Sequence, residues 1–206
     1  GKRAVSYRLL ALVTHCTMSQ EWFRLDLHFL RSHPAHWVAL GFGSGLVRGA
    51  PGTAGTLLGW GLFVLLSPWM TDWLWGLVLL VSLPLGWWAC SVTAQHMDTP
   101  DPGSIVWDEI VAIWLILLLV MPTGFWGQFA AFVLFRFFDS IKLGPVAWAD
   151  RLCDRLDLQN DPRAWQKVGF YILLDDIIAA GCTLLVIALW QAHALNGLAG
   201  LFQTGV

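Results

Sequence analysis

Five apolar stretches, at roughly residues 54–70, 73–94, 106–122, 125–140 and 170–193, make up nearly half of this 206-residue chain. A run of that kind has few folds open to it. In lipid every backbone N–H and C=O must be satisfied within the protein, which an α-helix does inside its own segment. Hydrophobic residues make up 57% of the chain and charged residues 13%, about half the charged share of an ordinary soluble domain. The expected fold is therefore all-α, a polytopic membrane helical bundle of about five spanning helices. Pro84 is expected to kink the second. The 14 tryptophans fit the same class, because indoles favour the headgroup level, and Trp69, Trp73 and Trp75 gather where one stretch ends and the next begins.

The basic residues orient such a bundle. Lys2, Arg3, Arg8, Arg24, Arg31 and Arg48 precede the first stretch, and Arg136, Lys142, Arg151, Arg155, Arg163 and Lys167 lie at or beyond the end of the fourth. With five spans all 12 fall on one side, which the positive-inside rule makes cytoplasmic. The opposite loops carry only Asp72. Residues 1–36 read as a cytoplasmic, partly amphipathic helical segment ending near Pro34, residues 37–195 as the membrane domain, and residues 196–206 as a C-terminal tail. A signal peptide is not expected, since Arg8 interrupts a short apolar stretch. Cys16, Cys90, Cys153 and Cys182 have no CxxC spacing, so neither a zinc site nor a disulfide framework is expected. The histidines show no metal-pair spacing; His96 alone falls on the acidic side and reads as structural.

The same topology sorts the acids. Asp108 and Glu109 open the third stretch, Asp139 closes the fourth, and Asp175-Asp176 begin the fifth, so three helices deliver carboxylates to one depth. Charge in a bilayer is costly and usually functional. Adjacent acids at a helix start are also explained by the helix dipole, and Arg136 with Asp139 by an internal ion pair. Those explanations weaken when three acidic helix ends share a surface. Asp175-Asp176 inside an apolar run needs a cation or a basic partner. Hard oxygen ligands in this number favour Mg²⁺, or Mn²⁺, over zinc. Two further motifs accompany them. Arg136, Asp139 and Lys142 follow at i, i+3 and i+6. Gly41-Phe42-Gly43-Ser44-Gly45, followed by Pro51-Gly52-Thr53, suits either an anion site at a helix N-terminus or tight turns and close helix packing. The residues leave both readings open.

Taken in order, GFGSGL with PGT (Gly41–Thr53), GSIVWDE (Gly103–Glu109), FRFFDSIK with AWADR (Phe135–Arg151) and LLDDIIAAG (Leu173–Gly181) resemble the phosphatidylglycerophosphatase A family of bacterial membrane lipid phosphatases. The resemblance spans about residues 38–185. Departures such as Ala180 after the Asp-Asp pair, or Leu143 after Lys142, leave every acid in place. The resemblance implies Mg²⁺-dependent removal of the terminal phosphate of phosphatidylglycerophosphate, giving phosphatidylglycerol at the cytoplasmic face of the inner membrane. It implies Asp108, Asp139 and Asp176 as catalytic residues. Asp108, Glu109, Asp139, Asp175 and Asp176 are the implied metal ligands, and Arg136, Lys142, Arg48, Gly52, Thr53 and Ser44 bind substrate. Neither a protein nor a nucleic-acid partner is expected.

Other phosphatase chemistries lack their marks here: there is no Cys-x5-Arg, no Asp-x-Asp and no Pro-Ser-Gly-His. A small ion-coupled membrane transporter using the intramembrane acids is the main alternative. It predicts acids near the midplane rather than at helix ends.

Overall fold

The computed structural model describes residues 27–141, 144–146, 148, 152 and 156–203, with side-chain surroundings up to residue 193. The described residues are helical, without strands. Two short helices, α1 (Leu27–Ser32) and α2 (Pro34–Ala39), lead into a 3-10 turn over Gly41–Leu46. Five longer helices follow: α3 (Pro51–Leu66), α4 (Asp72–Met97), α5 (Trp107–Val120), α6 (Phe125–Ile141) and α7 (Ala164–Gln203). Each apolar stretch is thus a helix, but their lengths differ. Only α4, with 26 residues, and α7, over Ala164–His193, are long and apolar enough to cross a membrane on length and composition. The other three have 16, 14 and 17 residues, about 21–26 Å at 1.5 Å per residue.

Local signals set the boundaries. Pro51 occupies the first turn of α3, where its missing N–H costs nothing. Thr71 caps α4 by accepting from the Leu74 N–H, with Asp72 in the first turn, and Asp98 ends the helix in the left-handed region at φ 52°. Helix α4 runs unbroken through Pro84. Pro34 opens α2 rather than ending the segment before it, because its fixed φ suits the first helical position. Helix α7 begins six residues before the expected 170 and continues to Gln203, through most of the stretch read as a tail. Residues 1–26 lie outside the described structure.

Helix α5 is the centre of the bundle, packing against α3, α4, α6 and α7. Ile110, Ile113, Ile116 and Leu117 are fully buried on it. Helix α3 meets it through small residues: a Cβ at Gly55 would strike Val106, and one at Gly59 would strike Ile113. Close helix approach is the use of such a stripe in membrane bundles. The tryptophans divide. Trp75, Trp107 and Trp114 are buried; Trp75 stacks on Phe63 at 4.4 Å, while Trp107 and Trp114 donate to the carbonyls of Ser82 and Gly59. Buried indoles keep their N–H satisfied this way. Trp69, Trp73, Trp126 and Trp190 are exposed. The expected cluster at 69–75 is therefore split, with Trp75 turned into the core.

The glycine turn is a packing device. Gly41 and Gly43 have φ of 51° and 103°, a region open to glycine at little cost. The turn folds against residues 103–106, where Val106 N–H donates to Ala39 O at 2.9 Å. That contact fixes the entrance to α5.

Candidate active site

Three helix segments converge at one end of the bundle. The first turn of α5 carries Asp108 and Glu109, the last turns of α6 carry Arg136 and Asp139, and α7 brings Asp175 and Asp176 eleven and twelve residues after its start. One ligand oxygen each from Asp108, Glu109 and Asp176 lie within 4.8 Å of one another, and so do oxygens from Asp139, Asp175 and Asp176. Asp176 belongs to both groups. The five carboxylates line a cavity of about 140 Å³, with Asp101 and Tyr171 also on its wall.

Arg136 is the organising cation. Its Nη1 lies 2.6 Å from Asp139 Oδ2, one turn along α6, and 3.5 Å from Glu109 Oε1 on α5. The N-terminal turn of α3 closes over this pair. A Cβ at Gly52 would overlap Glu109 Oε1 and sit 3.0 Å from Arg136 Nη2. A larger residue there would have to push those two side-chain ends aside.

The donor set fits a hard divalent cation. Glu109, Asp175 and Asp176 are buried. Asp108 Oδ1, Glu109 Oε2 and Asp176 Oδ2 have no hydrogen-bond partner among the described residues. Buried carboxylate oxygens without donors are costly unless a cation meets them. All the ligands are oxygens, which suits Mg²⁺ or Mn²⁺ chemistry.

Of the residues expected from sequence, Asp108, Glu109, Asp139, Asp175, Asp176, Arg136 and Gly52 come together. Thr53 stands half-buried in the same first turn of α3. Ser44 is held elsewhere, its hydroxyl donating to Gly41 O at 2.9 Å within the glycine turn. Arg48 is exposed in the loop that follows, and Lys142 lies outside the described residues. Asp101 and Tyr171, which also line the cavity, are not among the residues expected from sequence. For Tyr171 the available signal was its position four residues before Asp175, one helical turn away. The histidine reading needs correction: His96 is not alone, since its Nδ1 lies 2.9 Å from His36 Nε2, with His33 beside both.

Residues 37–191 match the family described as Phosphatidylglycerophosphatase A. The chain is 40% identical over 152 residues to Phosphatidylglycerophosphatase A of Escherichia coli (strain K12), covering 72% of this chain and 78% of that protein. It is 36% identical over 155 residues to Phosphatidylglycerophosphatase A of Haemophilus influenzae, covering 75% and 87% respectively. No solved structure matches the chain. With the match covering the helices that carry every one of the gathered carboxylates, the chain belongs to the phosphatidylglycerophosphatase A family and is a phosphatase.

Proposed function

We propose that this enzyme removes the terminal phosphate of phosphatidylglycerophosphate, yielding phosphatidylglycerol, with Mg²⁺ at its carboxylates and its site at the cytoplasmic face of a bacterial inner membrane. The observation that carries the reading is the convergence of Asp108, Glu109, Asp139, Asp175 and Asp176 from three helices beside Arg136. The family relatives supply the substrate class.

All five long helices are taken to span or nearly span the bilayer. The exposed apolar side chains support this, among them Leu57, Leu65, Leu80, Leu85, Leu185 and Leu189. A soluble monomer rarely leaves that much apolar surface uncovered. The exposed Trp69, Trp73, Trp126 and Trp190 lie towards the end away from the carboxylates, as an interfacial belt would. The positive-inside rule, applied to the basic residues, supports the carboxylate end as the inner one.

Asp108, Glu109 and Asp176 would hold Mg²⁺, as would Asp139 and Asp175 together with Asp176, the residue common to both groups. Bound there, Mg²⁺ would neutralise phosphate charge and make water a stronger nucleophile. Arg136, already held between Asp139 and Glu109, swings a guanidinium edge toward the phosphate oxygens. Lys142 and Arg48 are assigned to the outer phosphate and lipid surface, and the α3 N-terminus at Gly52 and Thr53 offers backbone donors. Asp108 takes the proton of the attacking water as its oxygen bonds to phosphorus. The ester P–O bond then breaks, and Asp108 passes that proton to the departing glycerol oxygen, leaving phosphate and the diol lipid. Phosphoryl transfer is mainly positioning and charge stabilisation, and this set provides both.

The deciding experiment is phosphate release from phosphatidylglycerophosphate by detergent-purified protein, with Mg²⁺ and with EDTA, beside phosphatidic acid. Mg²⁺-dependent release selective for the first lipid is the expected result. No release from either lipid by folded protein with Mg²⁺ would sink the reading. Gly52→Ala offers a sharper test. The new methyl pushes on the flexible ends of Glu109 and Arg136, so stability should change little. Displacing them by about 1 Å should lower kcat on the order of 10²-fold. Unchanged kcat would remove the α3 turn from the site.

A further inference from the structure

A second group of ligand-type side chains lies apart from the carboxylates. His33, just before α2, and His36 within it meet His96 in the last turn of α4. His36 Nε2 and His96 Nδ1 are 2.9 Å apart. Ring centres are 5.1 Å apart for His36 and His96, and 5.5 Å for His33 with each of them. Three imidazoles on one tetrahedral ion, at metal–nitrogen distances of about 2.0–2.1 Å, set their ring centres about 5 Å apart. The ring centres lie near that spacing, with the His33 Nδ1 turned to the Ala35 N–H.

His36 is also oriented as a ligand. Its Nδ1 donates to Phe29 O at 2.9 Å; the carbonyl can only accept, so the tautomer is fixed and the Nε2 lone pair faces His96. The Phe29 ring stacks on the imidazole at 4.1 Å and holds its plane. A far-side hydrogen bond to a backbone carbonyl is how metal-binding histidines are commonly held. Burial keeps this imidazole below its usual pKa, against the pull of the Phe29 carbonyl and with His96 and His33 adding to the depression. A neutral ring is a competent donor.

We propose that His33, His36 and His96 form a binding site for a borderline transition-metal ion such as Zn²⁺ or Co²⁺, separate from the carboxylate site. Two movements complete it, the larger at His33. The His36–His96 nitrogens open from 2.9 Å to about 3.3 Å, and His33 turns away from the Ala35 N–H that it now accepts at 3.1 Å. His96 is exposed, so water reaches the fourth position. The ion would pin α2 to α4. Because Ala39 at the end of α2 holds Val106, the clamp would brace the backbone leading into Asp108. Imidazoles select zinc-like ions where carboxylates select magnesium, which makes the two sites separable.

The test is Co²⁺ titration of the detergent-purified full chain in excess Mg²⁺, read by visible absorption. One equivalent of Co²⁺ with the intense bands of tetrahedral coordination is expected. His96→Ala, made at an exposed side chain, should weaken binding at least about tenfold, as should His33→Ala, whereas Asp176→Asn should leave the spectrum intact. Thermal unfolding without metal checks that each variant folds, and His96→Gln replaces His96→Ala if that variant does not. Absence of a tetrahedral spectrum in the wild type, or a spectrum that both histidine variants leave unchanged, overturns the site. Neither outcome touches the phosphatase reading, which is assayed with Mg²⁺ alone.

Discussion

Asp176→Asn should lower Mg²⁺-dependent phosphate release by at least about 10³-fold, the equivalent of roughly 4 kcal/mol of transition-state stabilisation. Among the five carboxylates it is the one common to both ligand groups, so removing its charge disturbs both at once. Its Oδ2 is buried without a hydrogen-bond partner among the described residues, as a cation ligand's would be in the absence of the ion. The substitution is close to isosteric and relieves repulsion among crowded carboxylates, so the metal-free protein should unfold at an equal or higher temperature than the wild type. Stabilisation by added Mg²⁺, which follows from ligand binding to the folded state, should shrink. Two measurements decide the matter: initial rates on lipid micelles, and melting temperature with and without Mg²⁺. Near-normal turnover would dismiss the shared-ligand assignment, and a collapse of the metal-free melting temperature would make Asp176 structural.

Gly45→Ala should cost about 3 kcal/mol or more of stability, combining overpacking with a lost buried hydrogen bond. A Cβ there would overlap the Ser104 carbonyl oxygen, with Ser104 C at 3.2 Å and Leu40 Cα at 3.3 Å. These are backbone atoms, and no rotamer moves them aside. The glycine turn must lift from residues 103–106, straining the Val106-to-Ala39 hydrogen bond. For a chain of this size the loss corresponds to a melting temperature lower by roughly 10 °C. Gly61→Ala is the control, since its Cβ would enter open space. If the two variants melt together, the turn does not anchor the entrance to α5.

The carboxylate site was legible because charge is conspicuous in apolar sequence: Asp108, Glu109, Asp139, Asp175 and Asp176 had no cheap structural explanation, and all of them meet. The five helices were legible from hydropathy, but their ends were not. Helix α7 begins at Ala164, inside a charged stretch whose hydropathy resembles a loop. Trp75, Trp107 and Trp114 were hidden for a different reason, since an indole suits both the membrane interface and a core carbonyl. The histidine cluster joins residues 60 apart, and no periodicity links positions on separate helices. Ser44 shows the limit of motif reading. A serine among glycines looks like an anion donor until its hydroxyl is seen to close its own turn.

The unequal helices carry a kinetic consequence. Under the proposed membrane placement, with α4 and α7 crossing the bilayer and α3, α5 and α6 about 21–26 Å long, the short helices would end below the surrounding headgroup plane, at the end of the bundle that carries the carboxylates. The bilayer would thin toward such a depression instead of the protein reaching up to it. The proposed substrate would then arrive by lateral diffusion and react without its acyl chains leaving the membrane. Turnover should follow the mole fraction of substrate in the surface, and diluting that surface with inert lipid or detergent should slow the enzyme even when the total substrate in the tube is constant.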